Sequence, residues 1–204
     1  MTVFIVDDDE AIRDAISNLL ETEHIASLSF ATAEEFLAEW RKEMPGCLLL
    51  DVRLPGITGI ELQERFRNLG REIPIIIMTA HGDIPMVRRV MKAGAIEFLT
   101  KPFQREELLM AISQGFEQDK ERRRLGSHVE AVRGFYRTLT PREREVMAQV
   151  TDGLLNKQIA ANLGLSEITV KLHRRQVMEK MRASSLADLV RIAAVLGDVS
   201  YTKV

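Results

Sequence analysis

The sequence predicts a doubly wound α/β domain with a five-stranded parallel sheet, followed by a small all-α domain. Three observations carry this. Through residues 1–120, short apolar runs alternate with amphipathic stretches, the order that builds a parallel sheet with helices on both faces and right-handed crossovers. Beyond about residue 136 the strand-like runs stop and only helical patterns follow. Charge divides in the same place: residues 1–120 hold 13 Lys+Arg against 21 Asp+Glu, a balance of −8, and residues 136–204 hold 11 against 7, a balance of +4.

Taken in order, Val3 to Val6 reads as the first strand, and residues 10–22 carry Ile12, Ile16, Leu19 and Leu20 at helical spacing. Ala26 to Phe30 is a second, shorter strand. Thr32 can cap a helix containing Phe36, Leu37 and Trp40, with Glu35 completing a capping box. Leu48 to Leu50 runs into Asp51 and a turn at Leu54-Pro55-Gly56, as a strand buried on both faces would. A helix over 58–69, a strand from Pro74 to Met78, a helix over 84–93 ended by Gly94 and a strand from Ile96 to Leu99 follow. A long helix begins near Glu106 and passes into the charged run Glu117 to Arg124, which reads as a solvated helical extension or a mobile linker. Gly126, Ser127 and Gly134 make 121–135 the boundary between a first domain (1–120) and a second (136–204).

The second domain opens at Thr140-Pro141-Arg142-Glu143, an N-cap, a first-position proline and a capping-box glutamate. Asn156 can cap a helix through Leu163, closed by Gly164. Ser166 caps a third through about Met181, and 186–196 form a fourth.

Composition removes several classes. No apolar run approaches the roughly 20 residues of a membrane span, and the N-terminus reads as a strand with no signal-peptide core. One cysteine, Cys47, excludes an internal disulfide framework, fits a reducing cytoplasm and reads as a small core residue.

The chemistry gathers at one sheet edge. The first strand delivers Asp7, Asp8 and Asp9 to the carboxyl edge where the third delivers Asp51, the usual ligand crevice of an open α/β sheet. Clustered carboxylates call for a cation, and Mg²⁺ suits a site of few carboxylates, retained waters and phosphate oxygens. The fourth strand adds Thr79 and the fifth Lys101, so the set can serve a transferred phosphoryl group: a nucleophilic carboxylate, a hydroxyl donor and a neutralising ammonium. Singly, each has a plain structural reading, as helix cap, turn residue or loop dipeptide; their convergence on strands one, three, four and five does not.

These residues resemble a response-regulator receiver domain, flavodoxin-like in fold, and the resemblance covers all of 1–120. It implies that Asp51 accepts phosphate from the phosphohistidine of a sensor kinase. It also implies that Asp7, Asp8, Asp51 and the backbone carbonyl of Arg53 hold Mg²⁺ (or Mn²⁺), and that Thr79 and Lys101 contact the phosphoryl group. Lys101-Pro102 is expected to be cis and Phe98 to occupy an aromatic switch position, against simple packing. Asp9 matches no assigned ligand.

In the second domain, Val170, His173, Val177 and Met181 form one stripe of the third helix and should face the core. Lys171, Arg175 and Arg182, with Arg174 beside them, form a basic stripe suited to base edges and phosphates. Any amphipathic helix has a charged face, so spacing alone leaves this open. Leu139 to Val146, Asn156 to Ala160 and Thr169 to His173 resemble the LuxR-type DNA-binding domain over about 138–196. The resemblance puts Lys171, Leu172 and Arg175 at base-contacting positions and makes Asn156, Lys157, Thr169, His173 and Arg174 phosphate contacts or supports. The apolar face of the fourth helix, Leu186, Leu189, Val190 and Ala193, is either a pairing surface or core.

The two together resemble the NarL/FixJ family, nearest its FixJ branch. That implies a cytoplasmic, phosphorylation-controlled transcriptional regulator whose partners are a sensor histidine kinase, promoter DNA and, once phosphorylated, a second copy through the fourth-helix and fifth-strand surface. RNA polymerase is a further candidate partner. Release of a covered DNA-binding face is the alternative route. Two rival functions stand beside it: an Mg²⁺-dependent phosphohydrolase, disfavoured because Arg53 stands where such enzymes carry an acid–base Asp, and a phosphorylation-independent DNA-binding scaffold.

Overall fold

A computed structural model describes residues 1–68, 70, 72–80 and 84–200. They fold as two compact units, Met1–Arg123 and Arg124–Val204. In chain order the first unit contains β1 (Thr2–Val6), α1 (Glu10–Thr22), β2 (Ala26–Phe30), α2 (Ala33–Glu39), β3 (Gly46–Asp51), α3 (Gly59–Asn68), β4 (Ile75–Thr79), α4 (Ile84–Lys92) and β5 (Glu97–Thr100). The helix α5 (Arg105–Arg137) follows, then α6 (Pro141–Thr151), α7 (Asn156–Leu163), α8 (Glu167–Lys180) and α9 (Leu186–Ser200) in the second unit. No helix among the described residues is long and apolar enough to cross a membrane.

The five strands are parallel in the order β2-β1-β3-β4-β5. With β3 at the centre, its whole length is buried. Its alternation feeds two cores: Leu48 and Leu50 join Phe4, Phe36, Trp40 and Phe66 on one face, while Cys47 and Leu49 join Ile5, Leu20 and Ile112 on the other. Two close approaches seat helices against this strand. A Cβ on Gly115 of α5 would lie 2.8 Å from Cys47 Cβ, and one on Gly59 would lie 2.4 Å from the Asp51 carbonyl oxygen, so only glycine lets α5 and α3 sit this near.

Most expected elements form within a residue or two, with most caps where the residues called for them; Glu35, expected to close a box on Thr32, instead accepts from Ala31 N at 2.9 Å. Thr32 accepts from Glu35 N (3.2 Å), Thr140 and Glu143 close a full capping box, and Gly164 ends α7 in the left-handed conformation (φ 66°). Thr58 and Glu61 build a second box at the start of α3. Asn156 is a correction: it is the first helical residue, and Leu155 stands at the cap. Gln158 Oε1 accepts from Leu155 N at 2.8 Å, which frees the Asn156 side chain to accept from Arg174 Nη1 (2.8 Å). β5 lies one residue later than expected, Glu97–Thr100. Residues 121–135 lie inside α5. Residue 69 of the expected third helix and residues 201–204 of the second domain fall outside the described residues.

The second unit packs Val132, Val146, Val150, Ile159, Val170, Val177, Met181 and Leu189 into one core. That core takes Val170, Val177 and Met181 from the expected stripe of α8, while His173 is only half buried. On α9 the expected apolar face divides: Leu189 is core and Ala193 packs against it, whereas Leu186 and Val190 are exposed.

Candidate functional site

Register explains why four strand ends meet. Val6 pairs with Leu50 across β1 and β3, so the residues that follow, Asp7 and Asp51, emerge side by side at the carboxyl edge. Thr79 pairs with Thr100 across β4 and β5, which brings Lys101 to the same edge. There the Lys101 ammonium donates to Asp7 Oδ2 at 2.5 Å and to Asp51 Oδ1 at 2.6 Å. The other Asp51 oxygen accepts from Arg53 N at 2.5 Å. The Lys101-Pro102 peptide is cis.

Burial sets the electrostatics. Asp7 is 1% exposed, Asp51 6% and Thr79 1%. Loss of water pushes the Asp7 carboxyl above its ordinary value, an effect that Lys101 only partly offsets. Burial works against the Lys101 charge too, but its hydrogen bonds to Asp51 and Asp7 outweigh it and hold the ammonium above its ordinary value.

The neighbouring aspartates divide their work. Asp8 is exposed, and its carbonyl, with that of Asp7, accepts from Arg13 Nη1 (3.0 and 2.8 Å). Asp9 caps α1, accepting from Ala11 N at 2.9 Å and Ile12 N at 3.3 Å, which accounts for the one aspartate with no expected ligand role. Among the described residues, no three His, Cys, Asp or Glu side chains gather closely enough to hold a metal by themselves. Phe98 is half buried against the core of Phe36 and Ile77. Burial pushes the Cys47 thiol up to about 12, as suits a core residue rather than a nucleophile.

Two features had no sequence signal. Arg13 is an ordinary helix residue by spacing, yet it steadies the Asp7–Asp8 loop. Asp119, from the run expected to be solvated, is fully buried: it accepts from Gly46 N at 2.9 Å, Arg122 Nη2 at 2.5 Å and Arg123 Nε at 2.7 Å. Those hydrogen bonds overcome burial and hold its carboxyl below the ordinary value. Arg123 also donates to the carbonyls of Lys42, Glu43 and Met44.

In the second unit Lys171, Leu172 and Arg175 are all exposed on α8, Leu172 at 55%. Lys157 is exposed at the start of α7. Arg174 and Asn156 hold each other, and Thr169 is engaged with Ser166, its N donating at 3.1 Å to Oγ. His173 Nδ1 is buried with no hydrogen-bond partner among the described residues. Glu143, 2% exposed, receives Lys180 Nζ at 2.8 and 2.7 Å and binds α6 to α8.

Against known proteins, residues 3–113 match the response regulator receiver domain and residues 137–193 the luxR family of bacterial regulatory proteins. The chain is 47% identical to nodulation protein W of Bradyrhizobium diazoefficiens, over 96% of this chain and 86% of that protein. It is 39% identical to the transcriptional regulatory protein FixJ of Rhizobium meliloti, over 96% of each. The solved structure of the response regulator StyR superposes with a TM-score of 0.82 at 47% identity, covering 95% of this chain and 98% of that one. The acidic edge of the first unit and the basic helix of the second thus sit in the two domains that define a known class, and the chain belongs to the NarL/FixJ family of response regulators, with a receiver domain and a LuxR-type DNA-binding domain.

Proposed function

We propose that Asp51 accepts a phosphoryl group from the phosphohistidine of a sensor kinase, and that this controls binding of promoter DNA through α8. The observation that carries the reading is the placement of one Asp51 oxygen on the Lys101 ammonium and the other on Arg53 N, at the edge shared with Asp7. A carboxylate so held has one orientation, and its attack needs little reorganisation. An Asp51 oxygen bonds to phosphorus as the P–N bond breaks, and the imidazole nitrogen leaves with the electron pair. Lys101 then exchanges a carboxylate oxygen for a phosphoryl oxygen, and Thr79 supplies a hydroxyl on the next strand.

The donor set fits a hard divalent cation: Asp7, Asp8 and Asp51 carboxylates and the Arg53 carbonyl are all oxygen, and added positive charge would relieve the part of the Asp7 burial that Lys101 leaves. When bound there, Mg²⁺ (or Mn²⁺) would neutralise charge on the transferring oxygens. The only catalysis we assign is the receiver's own phosphorylation and dephosphorylation, in the cytoplasm.

Output follows from the added charge near Thr79 and Phe98. Exposed Ile84 (78%) and Met91 on α4 support pairing of two receivers through the α4 and β5 surface. A pair places two α8 helices on neighbouring half-sites, with Lys171, Leu172 and Arg175 toward bases and Lys157, Thr169 and Arg174 toward phosphates. Asn156 and His173 act as supports, and RNA polymerase is the further partner. Labelling with acetyl phosphate and Mg²⁺ tests the acceptor. Asp51→Asn removes all labelling if the reading holds, and undiminished labelling rejects it.

A further inference from the structure

A groove of about 560 Å³ opens in the second unit between the end of α5, α6 and α9. Its apolar lining includes Met147 and Leu196, and three guanidiniums border it: Arg133, Arg137 and Arg144. Arg144 lies 5.1 Å over the ring of Tyr136, and its Nη2 donates to the Arg137 carbonyl (3.4 Å). Glu130 faces Arg137 at 3.2 Å and Arg133 at 3.7 Å, so two of the three cations share one carboxylate, and none of the described side chains lining the groove is acidic.

None of the residues lining this groove belongs to α8, and its floor is Met147, a core residue 3% exposed. On α6, Glu143 reaches Lys180 of α8, and Val146 and Val150 enter the core with Val170 and Val177. Arg144, Met147 and Thr151 lie about a third of a turn round the same helix. Arg, Tyr and Met around an apolar recess are the residue types that concentrate binding energy in protein–protein contacts.

We infer that this groove receives an acidic segment of a partner protein, which sets carboxylates on Arg133, Arg137 and Arg144 and one large apolar side chain against Met147 and Leu196. DNA phosphates would match the guanidiniums but not the apolar lining. A second copy pairing through the same groove would oppose arginines to arginines, because a two-fold contact is self-complementary. The sequence gives no sign of the groove, because its arginines come from two helices and read singly as solvated surface.

The probe is a fluorescein-labelled 15-residue helical peptide with one leucine flanked by glutamates a turn away on either side; its twin carries lysine for glutamate. Both are titrated against the full chain by anisotropy. The acidic peptide should bind and its twin should not. Arg137→Glu and Arg144→Glu, both at exposed positions, should each weaken binding by about tenfold or more. DNA affinity of the full chain should stay at the wild-type value, and both variants should remain folded at the assay temperature by circular dichroism. Equal binding of the twin, or no loss in the two variants, overturns the inference. Displacement of the peptide by duplex DNA makes the groove a phosphate contact, and a change in sedimentation with either variant makes it a contact between copies; both outcomes also overturn it.

Discussion

At the sheet edge, the charges satisfy one another. Asp7 and Asp51 are almost fully buried, and one ammonium reaches both within 2.6 Å. On α8 the reverse holds: Lys171 and Arg175 stand in solvent on a helix whose other side is core. At the edge the opposing charges belong to the same chain, although Lys101 only partly offsets the burial of Asp7. Under the proposed function, α8 takes its opposing charges from DNA. On the same reading, preorganisation favours phosphoryl transfer at the edge, while exposure leaves α8 open to base edges and phosphates.

This contrast can be broken experimentally. Lys101→Ala removes the cation that Asp7 and Asp51 share, and labelling of Asp51 by acetyl phosphate should slow by about 100-fold, the cost of one preorganised donor. A loss of only a few-fold would show that the ammonium merely balances charge. Lys171→Ala or Arg175→Ala should weaken binding to a selected operator by about 1–3 kcal/mol with little loss on random duplex. Equal losses on both would make them phosphate contacts.

The smallest effect sharpens the comparison from inside the second unit. Burial alone would raise the Glu143 carboxyl, but Lys180 and the Thr140 cap outweigh it and hold it below its ordinary value of 4.5. A depressed folded value means that its contribution is complete above about pH 4.5 and is lost as pH falls through the folded value. Urea midpoints of the full chain measured between pH 5 and 3 should fall, and Glu143→Gln should start lower and lose less over that range.

Strand ends and caps were legible because short-range chemistry writes them. Five apolar runs bounded by turn residues located the sheet, and the residues after them located Asp7, Asp51, Thr79 and Lys101. Register was not legible, yet register is what sets Asp7 beside Asp51. Asn156 shows how local reading fails: a good capping residue stands one position inside the helix because Gln158 closes the turn and Arg174 claims the amide. Asp119 shows the deeper limit. Its spacing marks it as one charge in a solvated run, and only the start of β3, 73 residues earlier, makes it a buried acceptor.

That carboxylate bears on where the chain can be severed. The receiver family match ends at residue 113, and the charge pattern suggests a cut near 120, but both lie before Arg123. A fragment ending at 113 would keep every residue of the acidic sheet edge and still lose the acceptor for Gly46 N–H and the donor for the carbonyls of residues 42–44. Grafting this receiver onto another output module therefore calls for a junction beyond Arg123, well inside a helix that looks like spare tether.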